Sequence, residues 1–354
     1  MWKPSDGDAG SWKTIWPGDR WTGFDSPAGG GGGSKKDPDL RDRLKRLLDS
    51  QTAGDPQSGQ KWVRDSLRQL RAKLDRQVSH TTIGRLLHEM GYGLKANRKQ
   101  LTGASHPDRD VQFRYIEQQI QRFQQAGWPI ISVDTKKKEL IGCFKNAGQR
   151  WCLEADRVNV HDFKHDALGK AVPYGIYDLQ YNQGTVFVGQ SADTPQFAVE
   201  AIVTWWKTIG RSLYPEAANL LILADAGGSN GCRPRLWKQL LQEQLTDPFG
   251  LMVTVCHYPT GASKWNPIEH RLFGPISINW AGVPLRSFEI MLALLRGTSN
   301  RTGLRVDAFL VEQCYPTGIK VPDDVMALLN FERHSICPNW NYTFRPRSVC
   351  PVPT

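Results

Sequence analysis

The sequence predicts a mixed α/β sheet flanked by helices, preceded by a small all-α region, and three observations carry that prediction. Residues 1–36 run into "AGGGGGSKK", after which only amphipathic helical patterns occur as far as residue 128. Beyond that point the texture changes to short β-prone apolar runs, first as a meander and then alternating with helical stripes. Charge divides at the same place: residues 1–128 hold 22 Lys+Arg against 15 Asp+Glu, and the remainder holds 23 against 20. At 354 residues and 40% hydrophobic composition, the chain is long enough for two domains with a real core.

Taken in order, the glycine run leaves the backbone almost unconstrained, so residues 1–36 read as a disordered tail and linker. "DPDLRDRLKRLLDS" puts Leu40, Leu44, Leu47 and Leu48 on one helical face. Two helices with a tight joint follow in "KWVRDSLRQLRAKLDRQVSHTTIGRLLHEMGYGLK". Val63, Leu67, Leu70 and Leu74 line the first; Ile83, Leu86, Leu87 and Met90 line the second, with Ser79 as N-cap and Gly91 as stop. A helix-turn-helix has this form, its second helix offering His80, Thr81, Thr82 and Arg85 to a DNA groove and the following Lys95, Arg98 and Lys99 to phosphates. An ordinary helical hairpin fits the same pattern. "HPDRDVQFRYIEQQIQRFQQAG" reads as an amphipathic connector helix.

The strands begin at "PIISVDT", with "LIGCFKN", "AVPYGIYDL" and "TVFVGQ" as antiparallel partners. A buried helix in "DTPQFAVEAIVTWWKTIG" has Asp193 or Thr194 as N-cap, Pro195 near its first position, and Phe197, Ala201, Trp205 and Ile209 on one face. The strand "NLLILAD", the helix "RPRLWKQLLQEQL", the strand "LMVTVCHYP" and a helix opening at "NPIEH" complete the alternation. The expected organisation is therefore a tail at 1–36, a helical DNA-binding region at 37–100, a connector helix at 101–128, a catalytic domain at 129–335 and a C-terminal tail at 336–354.

Composition narrows the function. A net charge of +10 and a pI near 9.3 favour a polyanionic partner, nucleic acid first. Seven scattered cysteines with no C-x-x-C pair argue against a disulfide framework or a zinc site. No apolar run approaches 18 residues and the polar opening is unlike a signal peptide, so the expected location is the cytoplasm, with no membrane association.

Three carboxylates stand out by position. Asp134 lies inside an apolar strand, where an unpaired carboxylate costs several kcal/mol or more. Asp225 ends "LLILAD" before "AGGSNG", at the carboxyl end of a strand, where α/β sheets place ligands. Glu269 sits on the first turn of the last helix. Each has a structural alternative: Asp134 paired with Lys136, Lys137 or Lys138; Asp225 opening a turn; Glu269 at N3 of a capping box with Asn266. Three acidic groups on one edge repel unless divalent cations neutralise them, and carboxylate oxygens suit Mg²⁺. His161 and His165 have metal-ligand spacing but no third ligand nearby and read as a loop.

"ISVDTKKKELIGCFKN", "RVNVHDF", "LILADAGGSNG" and "VCHYPTGASKWNPIEHRLF" together resemble the DDE transposases of bacterial insertion sequences, within the Rhodopirellula-type transposase family. The resemblance runs from "KKDPDL" to "PNWNYTF", and the ordered set is specific, although "NPIE" alone also occurs in mariner-like enzymes. It implies a ribonuclease H-like catalytic domain whose first-strand aspartate, fourth-strand aspartate and helix glutamate are Asp134, Asp225 and Glu269. It implies two Mg²⁺ ions, with Mn²⁺ as a substitute, and DNA as partner: the element's terminal inverted repeats and target DNA. Water and then a freed 3′ hydroxyl would attack phosphodiester bonds. Lys136, Lys137 and Lys138 would face phosphate, Lys264 would contact DNA, and Trp265 would stack on a base. Work on two DNA ends implies a homo-oligomer on DNA, and a nucleoid-associated location. Relatives carry a further helix-turn-helix ahead of the glycine-rich linker; residues 1–28 do not resemble one, and a shortened or mis-started copy is expected. The rival readings are a DNA-binding remnant that occupies element ends without cutting, and a ribonuclease H-like nuclease acting on hybrids or branched DNA.

Overall fold

The computed structural model describes residues 39–51, 53–54, 61–62, 65–74, 78–93 and 106–347. The chain divides into two compact units, Met1–Arg98 and Lys99–Thr354. The expected tail at 1–36, Val63, and the candidate phosphate contacts Lys95, Arg98 and Lys99 lie outside the described residues.

In the first unit, helices α1 (Leu40–Gln51), α2 (Leu67–Lys73) and α3 (His80–Glu89) share a core of Leu40, Leu44, Leu48, Leu70, Leu74 and Ile83. Helix α2 starts at Leu67 because Ser66 and Gln69 form a reciprocal capping box: the Ser66 hydroxyl accepts from the Gln69 N–H at 3.3 Å, and the Gln69 side chain accepts from the Ser66 N–H at 2.8 Å. Ser79 caps α3 through the Thr82 N–H at 3.1 Å. Gly91, at φ +83°, takes the left-handed conformation just past its end. His80, Thr81 and Arg85 are exposed on α3, Thr82 is half-buried, and Arg85 pairs with Glu89 at 3.7 Å.

The second unit is built on a mixed sheet of nine strands. Its eight principal strands are β1 (Ile130–Thr135), β2 (Gly169–Asp178), β3 (Gln183–Gly189), β4 (Asn219–Asp225), β5 (Met252–Tyr258), β6 (Arg305–Val311), β7 (Phe331–Arg333) and β8 (Asn341–Phe344). In space they run β7-β8-β5-β4-β1-β2-β3-β6, and the short strand Glu139–Ile141 pairs with β2 off that path. Strands β1, β2 and β3 form an antiparallel meander, while β4 and β5 run parallel to β1 through helical crossovers. The segment "LIGCFKN" is strand only as far as Ile141. Gly142, at φ +146°, turns the backbone out of the ladder and its N–H donates to the Leu285 carbonyl at 2.8 Å.

Period-two alternation sorts the strand residues onto two faces. Ile131, Val133, Ile222, Ala224, Val253 and Val255 face a core roofed by helix α5 (Pro195–Trp205) and helix α6 (Arg235–Leu240). Thr194 caps α5 through the Phe197 N–H at 3.2 Å, and Trp205, Trp206 and Trp237 are buried in the same core. The opposite face carries Ile130, Leu221, Leu223, Cys256 and Tyr258 under helix α4 (Arg109–Gln125), which contributes Ile116 and Phe123. Ser132, Asp134 and Asp225 share the parity of this second set.

Two expectations change. The helix read as a connector is a layer of the second unit, docked by the buried Gln112, whose amide donates to the His257 carbonyl at 2.9 Å and exchanges hydrogen bonds with the Asn341 amide. The domain also does not stop at 335. Residues 341–344 form β8, paired with β5 from Asn341↔Cys256 to Phe344↔Val253, with Tyr342 and Phe344 buried. Four residues between polar segments give too short an alternation to mark a strand, and pairing with a preformed edge decides the matter.

Gly175 of β2 lies opposite Asp134 of β1. A Cβ there would come within 2.6 Å of Phe273 Cε1 and 3.0 Å of Ile268 Cδ1, so its absence lets the segment around Glu269 settle onto the sheet. Gly175→Ala is therefore expected to lower stability by about 1–3 kcal/mol through overpacking. Urea unfolding of the full chain measures this, and an unchanged midpoint would show that the segment is not seated by that gap.

Candidate active site

The parallel register Val133↔Ala224 continues by one residue to put Asp134 and Asp225 side by side at the carboxyl ends of adjacent strands. Glu269 reaches them from the helical segment after β5, whose first turns form a π-helix at Glu269–Phe273 before helix α7 (Gly274–Asn279). Such π turns recur at functional sites because they re-aim one side chain.

Ser132 and Asn266 fix this geometry. Ser132, two residues before Asp134 and on the same face, accepts from the Ile268 N–H at 3.2 Å and so caps the helix from the neighbouring strand. Its hydroxyl donates to the Asn266 side-chain carbonyl, and the Asn266 amide donates to Asp225 Oδ1 at 3.1 Å. Asn266 is fully buried. One hydroxyl and one amide thus tie together the elements bearing all three carboxylates. A further chain holds β4 from behind: His257 Nδ1 lies 2.9 Å from the Asp225 carbonyl, its Nε2 2.9 Å from the Tyr342 hydroxyl, and Trp237 Nε1 donates to that hydroxyl at 3.1 Å.

The carboxylates disturb one another. Burial pushes the Asp134 carboxyl up to about 8, the Asp225 charge adds to the shift, and the Thr135 N–H at 2.7 Å opposes it. Burial likewise raises Asp225 to about 6, against the Asn266 hydrogen bond and with a contribution from Glu269. Glu269 is raised by burial and eased back by the Lys136 charge and by a carboxyl hydrogen bond with Asp134. All three are thus coupled, although among the described residues no three Asp, Glu, His or Cys side chains close on one point as a ready cage for a single ion.

The structural alternatives are not made. Lys136 is buried, 3.8 Å from Glu139 and 4.6 Å over the Trp280 ring; Lys138 pairs with Asp193 at 3.4 Å; neither these nor exposed Lys137 pairs with Asp134. Asp225 accepts from Asn266 rather than from the glycines that follow it. No capping box forms at Glu269, because the Asn266 side chain is committed to Ser132 and Asp225. Asp178 shows what a structural buried aspartate looks like here. Its carboxylate accepts one bifurcated hydrogen bond from the Tyr214 hydroxyl, 2.9 Å from each oxygen, and bonds from the Gln180 and Tyr181 amides at 2.9 and 3.1 Å.

Around this centre, Lys264 and Trp265 are exposed on a short turn, with the ammonium 5.2 Å from the indole centroid and the indole edge-on to Phe113. His161 and His165 lie in an exposed loop segment. Sequence reasoning missed Ser132, whose signal was available as a polar residue two before the aspartate in an apolar run. It also missed Lys164 and Lys170, which line a cavity with Asp134 and come from a distant loop and strand with no local signature.

Strand order β5-β4-β1-β2-β3, an antiparallel meander followed by two parallel crossovers, and paired carboxylates at the adjoining ends define a ribonuclease H-like protein of the DDE class. The profile of the family described as "Rhodopirellula transposase DDE domain" matches residues 43–346. The chain belongs to that family and is a DNA transposase, a metal-dependent nuclease and strand transferase by class. Among solved structures it is similar to the Mos1 transposase paired-end complex with left transposon end (16% identity, 75% of this chain and 71% of that chain, TM-score 0.38). It is also similar to the Mos1 strand transfer complex (14% identity, 75% and 70%, TM-score 0.39) and the Mos1 paired-end complex with Mg (15% identity, 76% and 73%, TM-score 0.39). No curated protein matches.

Asn266→Ala leaves Asp225 without its hydrogen bond and Ser132 without an acceptor. It is expected to slow DNA cleavage by about tenfold or more while costing about 1–3 kcal/mol of stability. Cleavage rates beside urea midpoints test this, and a variant as fast as the parent would show that the bridge does not position the site.

Proposed function

We propose that Asp134, Asp225 and Glu269 are the catalytic residues of this transposase, which cuts the ends of its insertion sequence and joins the freed 3′ hydroxyls to target DNA. The observation that carries this reading is a set of three mutually coupled, partly buried carboxylates at one sheet edge, none neutralised by a protein cation at contact distance. Their hard oxygen donors and uncompensated charge fit a divalent metal. Asp134, Asp225 and Glu269 would hold two Mg²⁺ ions, for which Mn²⁺ would substitute, and the ions would supply Lewis-acid stabilisation of the attacking and leaving oxygens of a phosphodiester.

The protein's own groups supply position. The buried Ser132–Asn266 bridge fixes Asp225 and the Glu269 turn before substrate arrives, and preorganised charge of this kind requires little rearrangement during reaction. Lys136, Lys137, Lys138 and Lys264 are assigned to phosphate and Trp265 to base stacking, Lys136 from its buried place beside Glu269. Residues 37–100 are assigned to DNA binding by a helix-turn-helix, through His80, Thr81, Thr82, Arg85 and the basic segment of Lys95, Arg98 and Lys99. The protein works as a homo-oligomer on its terminal repeats, in the cytoplasm at the nucleoid; among the described residues no helix is long and apolar enough to cross a membrane.

Two measurements test this. Asp134→Asn, Asp225→Asn and Glu269→Gln are each expected to reduce Mg²⁺-dependent cleavage of an element-end duplex on the order of 10³-fold, about 4 kcal/mol of barrier. Duplex binding should persist, and a folded Glu269→Gln protein that cuts like the parent would sink the assignment. Separately, Mg²⁺ or Mn²⁺ is expected to raise the melting temperature of the parent, by about 2.7 kcal/mol of stabilisation at a hundredfold excess over Kd. EDTA should reverse the shift and Asp134→Asn should abolish it; an equal shift in that variant would place the metal elsewhere.

A further inference from the structure

We propose that the cavity flanking Asp134 is a subsite for one backbone phosphate of the DNA, bound by Lys164, Lys170 and the Ser229 loop; the proposal rests on the transposase reading above. The cavity measures about 510 Å³, and its lining takes in Asp134 but neither Asp225 nor Glu269, so it lies to one flank of the carboxylate cluster. A strand passing the cluster on that flank would carry its next phosphates through it.

Charge selects the ligand. Five lysines line the cavity (136, 137, 138, 164 and 170) against two aspartates, 134 and 193. Lys136 and Lys138 are engaged by Glu139 and Asp193, whereas Lys137, Lys164 and Lys170 form no ion pair among the described residues and are exposed. Cations gathered around a wall and left without protein partners favour an anion there.

The loop after β4 adds neutral donors to the lining. Gly228, Ser229 and Asn230 belong to the tight loop after β4, which closes on itself through the Gly231 N–H to the Gly228 carbonyl and the Cys232 N–H to the Ala226 carbonyl. Asn230 is buried and anchors the loop to β1 by donating to the Val133 carbonyl at 3.2 Å. Ser229 is only 8% exposed, and its hydroxyl is buried with no hydrogen-bond partner. A hydroxyl left in that condition costs about 1–3 kcal/mol, a cost removed when a ligand supplies the acceptor. The amides of residues 227–230 likewise donate to no protein acceptor among the described residues. Lysines together with N–H and O–H donors in one lining match the oxygens of a phosphodiester.

The test measures DNA binding by the full chain in EDTA, where no cutting occurs. An element-end duplex is prepared with a single neutral methylphosphonate at each phosphate near the cleavage point in turn. One position is expected to weaken binding by the parent about tenfold and to leave Ser229→Ala and the Lys164→Gln/Lys170→Gln double variant unaffected, because the contact is already lost. The double variant should also show a salt dependence of log K shallower by about one to two per decade, whereas Lys170→Arg should keep the parental slope. Equal losses in parent and variants at every position, an unchanged slope, or no binding of the duplex by the parent would overturn the proposal. Failure of the catalytic assignment would show differently, as cleavage surviving Asp134→Asn while this coupling persists.

Discussion

The edge where Asp134, Asp225 and Glu269 meet depends on the Ser132 hydroxyl, a small group that serves two elements at once. It stands on the strand that bears Asp134 and meets the first free N–H of the segment that bears Glu269. It also orients Asn266, which holds Asp225. A capping interaction that most helices make within their own chain neighbourhood is supplied here from 136 residues away. The consequence is that the start of the helix cannot slide along the sheet without breaking the cap, and Glu269 inherits that fixed position.

The price of this arrangement is electrostatic. Three carboxylates are held close and partly out of water, and Asp134 in particular resists ionisation. The fold tolerates the strain because the site is confined to the strand ends. Behind it lies an extended apolar core with Trp205, Trp237, Tyr342 and Phe344 fully buried, reinforced by the His257–Tyr342–Trp237 hydrogen-bond chain. Stability resides in the middle of the sheet and reactivity at its rim, the division expected of a strained functional edge.

Much of this was legible in the residues. The apolar runs ending at Thr135 and Asp225 mark their strands closely, and Ser79 and Thr194 cap the helices they precede. What could not be read was long-range. The Asn266-Pro267-Ile268-Glu269 spacing satisfies a local capping pattern, and only the tertiary contact with Ser132 and Asp225 overrides it. "LIGCFKN" has strand composition, but Gly142 leaves the ladder after three residues of pairing. Strand β8 is four residues long and owes its existence to the edge of β5. Lys164 and Lys170 reach the site from segments whose own sequence says nothing of it.

The position of β8 bears on how the molecule is made. The amides of Gln112 and Asn341, 229 residues apart, exchange hydrogen bonds in a buried pocket, and β8 supplies the outer partner of β5. While the polypeptide is still leaving the ribosome, helix α4 lacks its counterpart and β5 presents a bare edge open to aggregation. Such distant pairings close slowly. The sheet whose strand ends bear Asp134 and Asp225 therefore gains its outer partner only once residues 341–344 have been made and have paired with β5.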